Sequence, residues 1–197
     1  MNRRHLLLAG AAGIFGFSSM LPAFAANPAE SFVSDNIQRG FDILNDRGTS
    51  AAERKTRFAD FIVGLTDVKR VAIFLLGHYA TTATPADTEA YVAAYQDYVQ
   101  STYQSYFALY AGQSLRVIDS RMRAPNDFVV RTSVTGGNAV PLEVDFRVRT
   151  DGAKPVLVDM AVAGVWLALA QRDQFTAVLA RSNGDVKALT AHLRARQ

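Results

Sequence analysis

The chain runs to 197 residues, 49% hydrophobic and 20% charged, with a formal charge of +3 and no cysteine. The lack of cysteine excludes disulfides, thiolate metal sites and a lipidated-cysteine anchor. So small a net charge gives no sign of a nucleic-acid binder.

Arg3 and Arg4 precede an apolar stretch from Leu6 to Leu21, and Ala23-Phe24-Ala25 offers a small-x-small cleavage site. This pattern predicts a signal peptide over residues 1–25 and an exported chain starting at Ala26. The stretch is shorter than the ~20 residues of a usual bilayer span. The paired arginines fit a twin-arginine or an ordinary secretory signal, so the periplasm is the expected destination. Their loss leaves a nearly neutral chain, 26–197, of about 170 residues. That suits a single domain burying roughly 70% of its unfolded surface.

Asn27-Pro28 predicts an N-cap and a first-turn proline, followed by Val33, Ile37, Phe41 and Leu44 at helical spacing. Ser50 with Glu53 forms a capping-box pattern ahead of a second stripe, Phe58, Phe61, Ile62 and Leu65. Asp67 starts a third helix whose centre, Val71 to Leu76, is apolar all round and is expected to be buried on several sides. Thr84-Pro85 opens a fourth helix, expected to run to about Ala111 and to be about 40 Å long.

The period then changes to that of strands. Residues 115–122 form the weakest strand pattern. Phe128, Val130, Thr132 and Val134 alternate with Val129, Arg131 and Ser133, and Thr135-Gly136-Gly137-Asn138 reads as a hairpin turn. Val140 to Val148 and Val156 to Val162 alternate in the same way, giving strands with one wet and one dry face. Two helices follow, the last carrying Val186, Leu189 and Leu193. The expected fold is α+β: a four-stranded antiparallel sheet covered by about six helices.

After the signal peptide the histidines are His78 and His192. Neither HExxH spacing nor a Gly-x-Ser-x-Gly elbow occurs, so no catalytic residue, metal or cofactor is expected. Asp145 and Asp159 are conceivable general bases, but their alternation with apolar neighbours predicts outward, solvated side chains. His78, at the end of an apolar helix, is expected to be structural.

Six of the seven tyrosines fall between Tyr91 and Tyr110. Tyr91, Tyr95 and Tyr98 share one helix face, and Tyr103, Phe107 and Tyr110 another. So much apolar and aromatic helix surface points to a cavity between helices and sheet, with tyrosines suited to its rim. Val130, Val134, Val144, Phe146, Val148, Val158, Met160 and Val162 are expected to face it. Val71, Phe74, Leu75, Tyr103, Phe107 and Tyr110 are expected to cover it.

The segment VDMAVAGVWLALAQRDQF, residues 158–175, resembles a signature of the MlaC family, also called toluene-tolerance proteins. That signature has an Asp in a strand, then Gly-Val-Ser-Leu, then Arg-x-Gln-Phe on a helix. Asp159, Gly164, Val165, Leu167, Arg172, Gln174 and Phe175 match it, while Trp166 replaces the usual Ser and Ala170-Gln171 a frequent Asn-Tyr. Leu76-Gly77-His78-Tyr79, Ala83-Thr84-Pro85 and Tyr110-x-Gly112 resemble the middle of the family. Trp166 is expected either to plug the core or to narrow the cavity mouth.

The resemblance implies a monomeric periplasmic carrier with one diacyl phospholipid as cargo. It would shuttle lipid between an inner-membrane ABC transporter complex and an outer-membrane lipoprotein complex, supporting outer-membrane lipid asymmetry. Hopanoid-associated carriers share the resemblance. Shielding two acyl chains of about fifteen methylenes, at ~0.8 kcal/mol each, from water is worth roughly 24 kcal/mol. A pocket near or above the upper end of the ~300–1,000 Å³ range is therefore expected. Two other readings stay open: an isomerase or dehydratase with Asp145, Asp159 or His78 facing the pocket, and an adaptor with a solid core.

Overall fold

The computed structural model describes residues 27–107, 110–136 and 142–196. The signal peptide, Gly137 and Asn138 of the expected hairpin, and Val140 lie outside these.

Helix α1 (Pro28–Asn45) starts where the Asn27 side chain accepts the N–H groups of Ala29 and Glu30 at 3.0 and 2.9 Å. Helix α2 (Ala51–Leu65) starts on Ser50, whose hydroxyl accepts the Glu53 N–H at 3.2 Å. Asp67 caps α3 (Val68–Leu76), and a 3-10 turn, Gly77–Thr81, follows. Thr84 caps α4 (Pro85–Tyr106). This helix stops short of the expected Ala111, because the Tyr110 N–H closes a tighter turn onto the Phe107 carbonyl at 3.2 Å.

The sheet has five strands, not four: β1 (Ser114–Ala124), β2 (Asp127–Thr135), β3 (Leu142–Arg149), β4 (Val156–Val162) and β5 (Val165–Trp166). They form an antiparallel meander in chain order. The fifth strand escapes sequence reading because it is two residues long. Ala163 (φ 49°) and Gly164 (φ 79°) form the two-residue turn that leads into it, since both positions of a tight hairpin turn need positive φ. Helices α5 (Leu167–Arg181) and α6 (Val186–Arg194) complete the chain. The part of the β4 edge that β5 leaves bare is met by the α2–α3 junction, where the Asp67 N–H donates to the Leu157 carbonyl at 3.1 Å.

The dry interior is in two pieces. One lies among α3, α4, α5 and α6, where Leu75, Leu76, Tyr91, Leu179 and Leu189 are fully buried. The other lies under α1, where Ala29 and Val33 pack on Val130 of β2 and Val148 of β3. Between the two cores, helices and sheet do not close on each other.

Candidate functional site

Two adjoining chambers occupy that gap. The larger, about 360 Å³, lies between α1, α2, the end of α4 and the sheet. Helix α1 contributes Phe32, Ile37, Phe41 and Leu44, and α2 contributes Phe58, Phe61, Ile62 and Leu65. Tyr103, Phe107 and Tyr110 close one side, while Leu115, Phe146, Leu157 and Met160 form the floor. Its polar groups are already engaged: Asn36 Nδ2 donates to the Phe32 carbonyl at 2.7 Å and the Tyr110 hydroxyl to Asn45 at 3.1 Å. The chamber therefore offers its occupant almost nothing but hydrocarbon and ring faces.

The smaller chamber, about 270 Å³, lies between α3, α4, α5 and β4. It shares Tyr103, Leu157 and Met160 with the larger one, so these three side chains form the neck between them. The Thr66 and Thr102 hydroxyls donate to the carbonyls of Ile62 and Tyr98 one turn back, at 2.9 and 2.8 Å. The Tyr95 hydroxyl donates to Gln171 Oε1 at 2.9 Å. Burial pushes the Tyr91 and Tyr95 hydroxyls well above the ordinary phenol range, so both stay neutral donors. Neither chamber alone reaches the expected size. The neck residues fill the middle of what would otherwise be one large pocket.

Asp159 lines the smaller chamber. The alternation predicted a solvated carboxylate, and the structure corrects this. Asp159 Oδ1 accepts the N–H groups of Met160 and Ala168 at 2.8 and 3.0 Å. Burial raises its pKa above the usual carboxylate value, against the lowering effect of those two bonds and of Arg147. Asp145 is half-buried on the opposite side of β3 from Phe146, with Oδ1 shielded from solvent. His78 is exposed, its ring tilted 35° against that of Tyr79 with ring centres 3.9 Å apart. Among the described residues no group of three or more metal-ligating side chains occurs.

The residues singled out from sequence separate into distinct places. Phe146, Met160, Tyr103, Phe107 and Tyr110 line the larger chamber, while Val71, Tyr103, Val158 and Met160 line the smaller. Val130 and Val148 share the face of Phe146 but are sealed beneath α1. Val134, Val144 and Val162 lie further along that face, outside both linings. Leu75 is fully buried in the helical core. Phe74, expected to cover the cavity, lines neither chamber and is 39% exposed, with the Arg172 guanidinium 4.9 Å from its ring centre.

Val158 departs from the even-numbered face because β4 bulges there: Arg147 pairs with Asp159 but Val148 pairs with Leu157. Leu157 therefore takes the inward place, which the alternation gave to Val158. Trp166 pairs with Ala161, which pairs with Asp145. That cross-strand row is on the face opposite Phe146, and Trp166 lines neither chamber. The α1 and α2 linings, with Tyr95, Tyr98, Gln171 and Gln174, were missed. Their signal was present as amphipathic stripes and motif residues, but nothing in one sequence says which stripe meets a void.

The motif residues form one structural unit around α5. Asp159 holds its first turn, and Phe175 stands edge-on to Tyr91 and Tyr95 at 6.5 and 6.2 Å. Arg172 lies against Gly77, where a Cβ would come within 2.9 Å of its guanidinium. The fold is shared with a phospholipid-binding protein from Ralstonia solanacearum solved in complex with a phospholipid. The two match with a TM-score of 0.68 at 24% identity, over 87% of this chain and 97% of that chain. The sequence profile described as MlaC protein matches residues 34–195. On that match, which spans most of the polypeptide, the chain belongs to the MlaC family.

Proposed function

We propose that this protein is a periplasmic phospholipid carrier. In this reading it works as a monomer, exported by the segment 1–25, and moves diacyl lipid between an inner-membrane transporter complex and an outer-membrane lipoprotein complex. The observation that carries the reading is the pair of adjoining chambers between two separate cores, the larger lined almost wholly by apolar side chains. Each methylene placed there is worth about 0.8 kcal/mol against water. Membership of the MlaC family and the phospholipid complex of the Ralstonia solanacearum protein support the same cargo class.

A small enzyme of isomerase or dehydratase type would need a base facing the pocket, and Asp159 faces it. Its Oδ1, however, is engaged by two backbone N–H groups, which accounts for the residue without chemistry. The carrier reading is tested by transfer of a fluorescent phospholipid between donor and acceptor vesicles. Stoichiometric extraction by the protein, with delivery to the acceptor, is the expected result. No extraction, or extraction of a hopanoid in preference to phospholipid, would overturn it.

A further inference from the structure

A third depression adjoins the smaller chamber on its outer side. It encloses about 260 Å³ and meets that chamber at Val71, Val158, Asp159 and Ala168. Its rim is Arg70 of α3 with Arg147 and Arg149 of β3. The carboxylates that pair with these arginines, Asp67, Asp127 and Asp151, are not among the residues that line the cleft. Asp127, 4% exposed, takes Arg147 Nε and Nη2 at 3.0 and 2.8 Å. Asp151 takes Arg149 Nε and Nη2 at 3.2 and 2.6 Å and lies 3.6 Å from Arg70 Nη1. Arg70 Nε also lies 3.3 Å from Asp67 Oδ2. A guanidinium has five N–H groups, so each fork keeps donors beyond those its carboxylates take. The one acidic lining residue, Asp159, has Oδ1 turned onto the start of α5. Cationic forks above an apolar floor are the arrangement that holds a phosphate ester joined to hydrocarbon.

We propose that the cleft of Arg70, Arg147 and Arg149 seats the phosphodiester of the lipid whose hydrocarbon enters past Val71 and Val158. The proposal rests on the carrier reading and adds that the headgroup end is gripped, not merely left in water. Selectivity then falls on the phosphate and not on the alcohol esterified to it.

The test loads the purified, lipid-stripped protein from vesicles of palmitoyl-oleoyl phosphatidylglycerol doped with the diacylglycerol of the same chains. Bound lipids are quantified by mass spectrometry relative to the vesicle ratio. Wild type is expected to enrich the phospholipid roughly tenfold, the worth of one charge-assisted hydrogen bond. Arg70→Gln/Arg149→Gln removes two solvent-accessible forks while sparing the buried Asp127–Arg147 pair. It is expected to lose the enrichment and to bind the two lipids in the vesicle ratio. Equal loading of both lipids by wild type, or full enrichment by the variant, would overturn the headgroup seat and leave the carrier reading intact. Loading of neither lipid would overturn both. Calorimetric binding of inorganic phosphate, lost in the variant and unaccompanied by phospholipid enrichment, would assign the cleft to free phosphate and overturn the lipid source.

Discussion

The Asp159 carboxylate on β4 accepts the backbone N–H of Ala168 in the first turn of α5 at 3.0 Å, nine residues along the chain. Trp166, at the N-cap position, makes no side-chain cap. The cap that α5 lacks locally therefore comes across the hairpin from the preceding strand. This explains why an Asp in a strand and a motif on the next helix travel together.

Asp159→Ala should leave two N–H groups unpaired and cost about 1–2 kcal/mol in urea unfolding. Asp159→Asn keeps an acceptor oxygen and should cost much less, with lipid loading unchanged. Because burial raises the folded-state pKa above 3.8, the folded chain binds this proton more tightly than the unfolded one. Stability should therefore fall as pH rises from 3.8 through the raised value, and Asp159→Asn should remove that slope. A loss of function in Asp159→Asn with the fold intact would instead favour a chemical role.

Asp127 gives the opposite slope. Its hydrogen bonds from Arg147 hold its pKa below 3.8. The pair contributes fully above that pH, and the contribution is lost as pH falls through the lowered folded-state value. Asp127→Asn should cost about 1–3 kcal/mol at neutral pH, and the difference from wild type should shrink in acid. A pH-independent difference would show that packing, not the ion pair, is what Asp127 supplies.

Gly77 has φ 58° and ψ −130°, a region that side-chain-bearing residues avoid. Gly77→Ala should cost about 1–3 kcal/mol and push Arg172 off Phe74. Gly64, inside α2 with nothing within 4 Å of a Cβ, should behave oppositely. Gly64→Ala should stabilise by about 0.4–1 kcal/mol. Equal effects at the two sites would contradict the backbone argument.

The cores and the chambers separate stability from cargo. Leu75→Ala empties a fully buried site and should cost about 2–5 kcal/mol while lipid loading persists. Ile62→Trp and Phe146→Asp alter the larger chamber by volume and by charge, and both should lose lipid. Lipid extraction from the folded variants decides it. Full occupancy in both chamber variants would remove that chamber from the cargo site.

Much of this was legible in local pattern. The caps at Asn27, Ser50, Asp67 and Thr84 are side-chain hydrogen bonds fixed by neighbouring residues, and the β2 and β3 alternation survives because their pairing is unbroken. What failed was non-local. The bulge at Val158 exchanges Leu157 for Val158 on the inner face, a shift set by pairing with β3. Val148 and Phe146 share one face, yet α1 seals the first and leaves the second on a void. Periodicity identifies a dry face but not what lies against it. The Ala163-Gly164 turn hid β5, and with it the reversal that puts Trp166 on the outer face.

Native mass spectrometry of the protein purified without detergent, followed by extraction of whatever is released, tests the central claim most directly. The expected spectrum shows the chain carrying one diacyl phospholipid, lost on organic extraction and regained from phospholipid vesicles. A protein that carries no lipid as purified and takes up none from vesicles would contradict the carrier account.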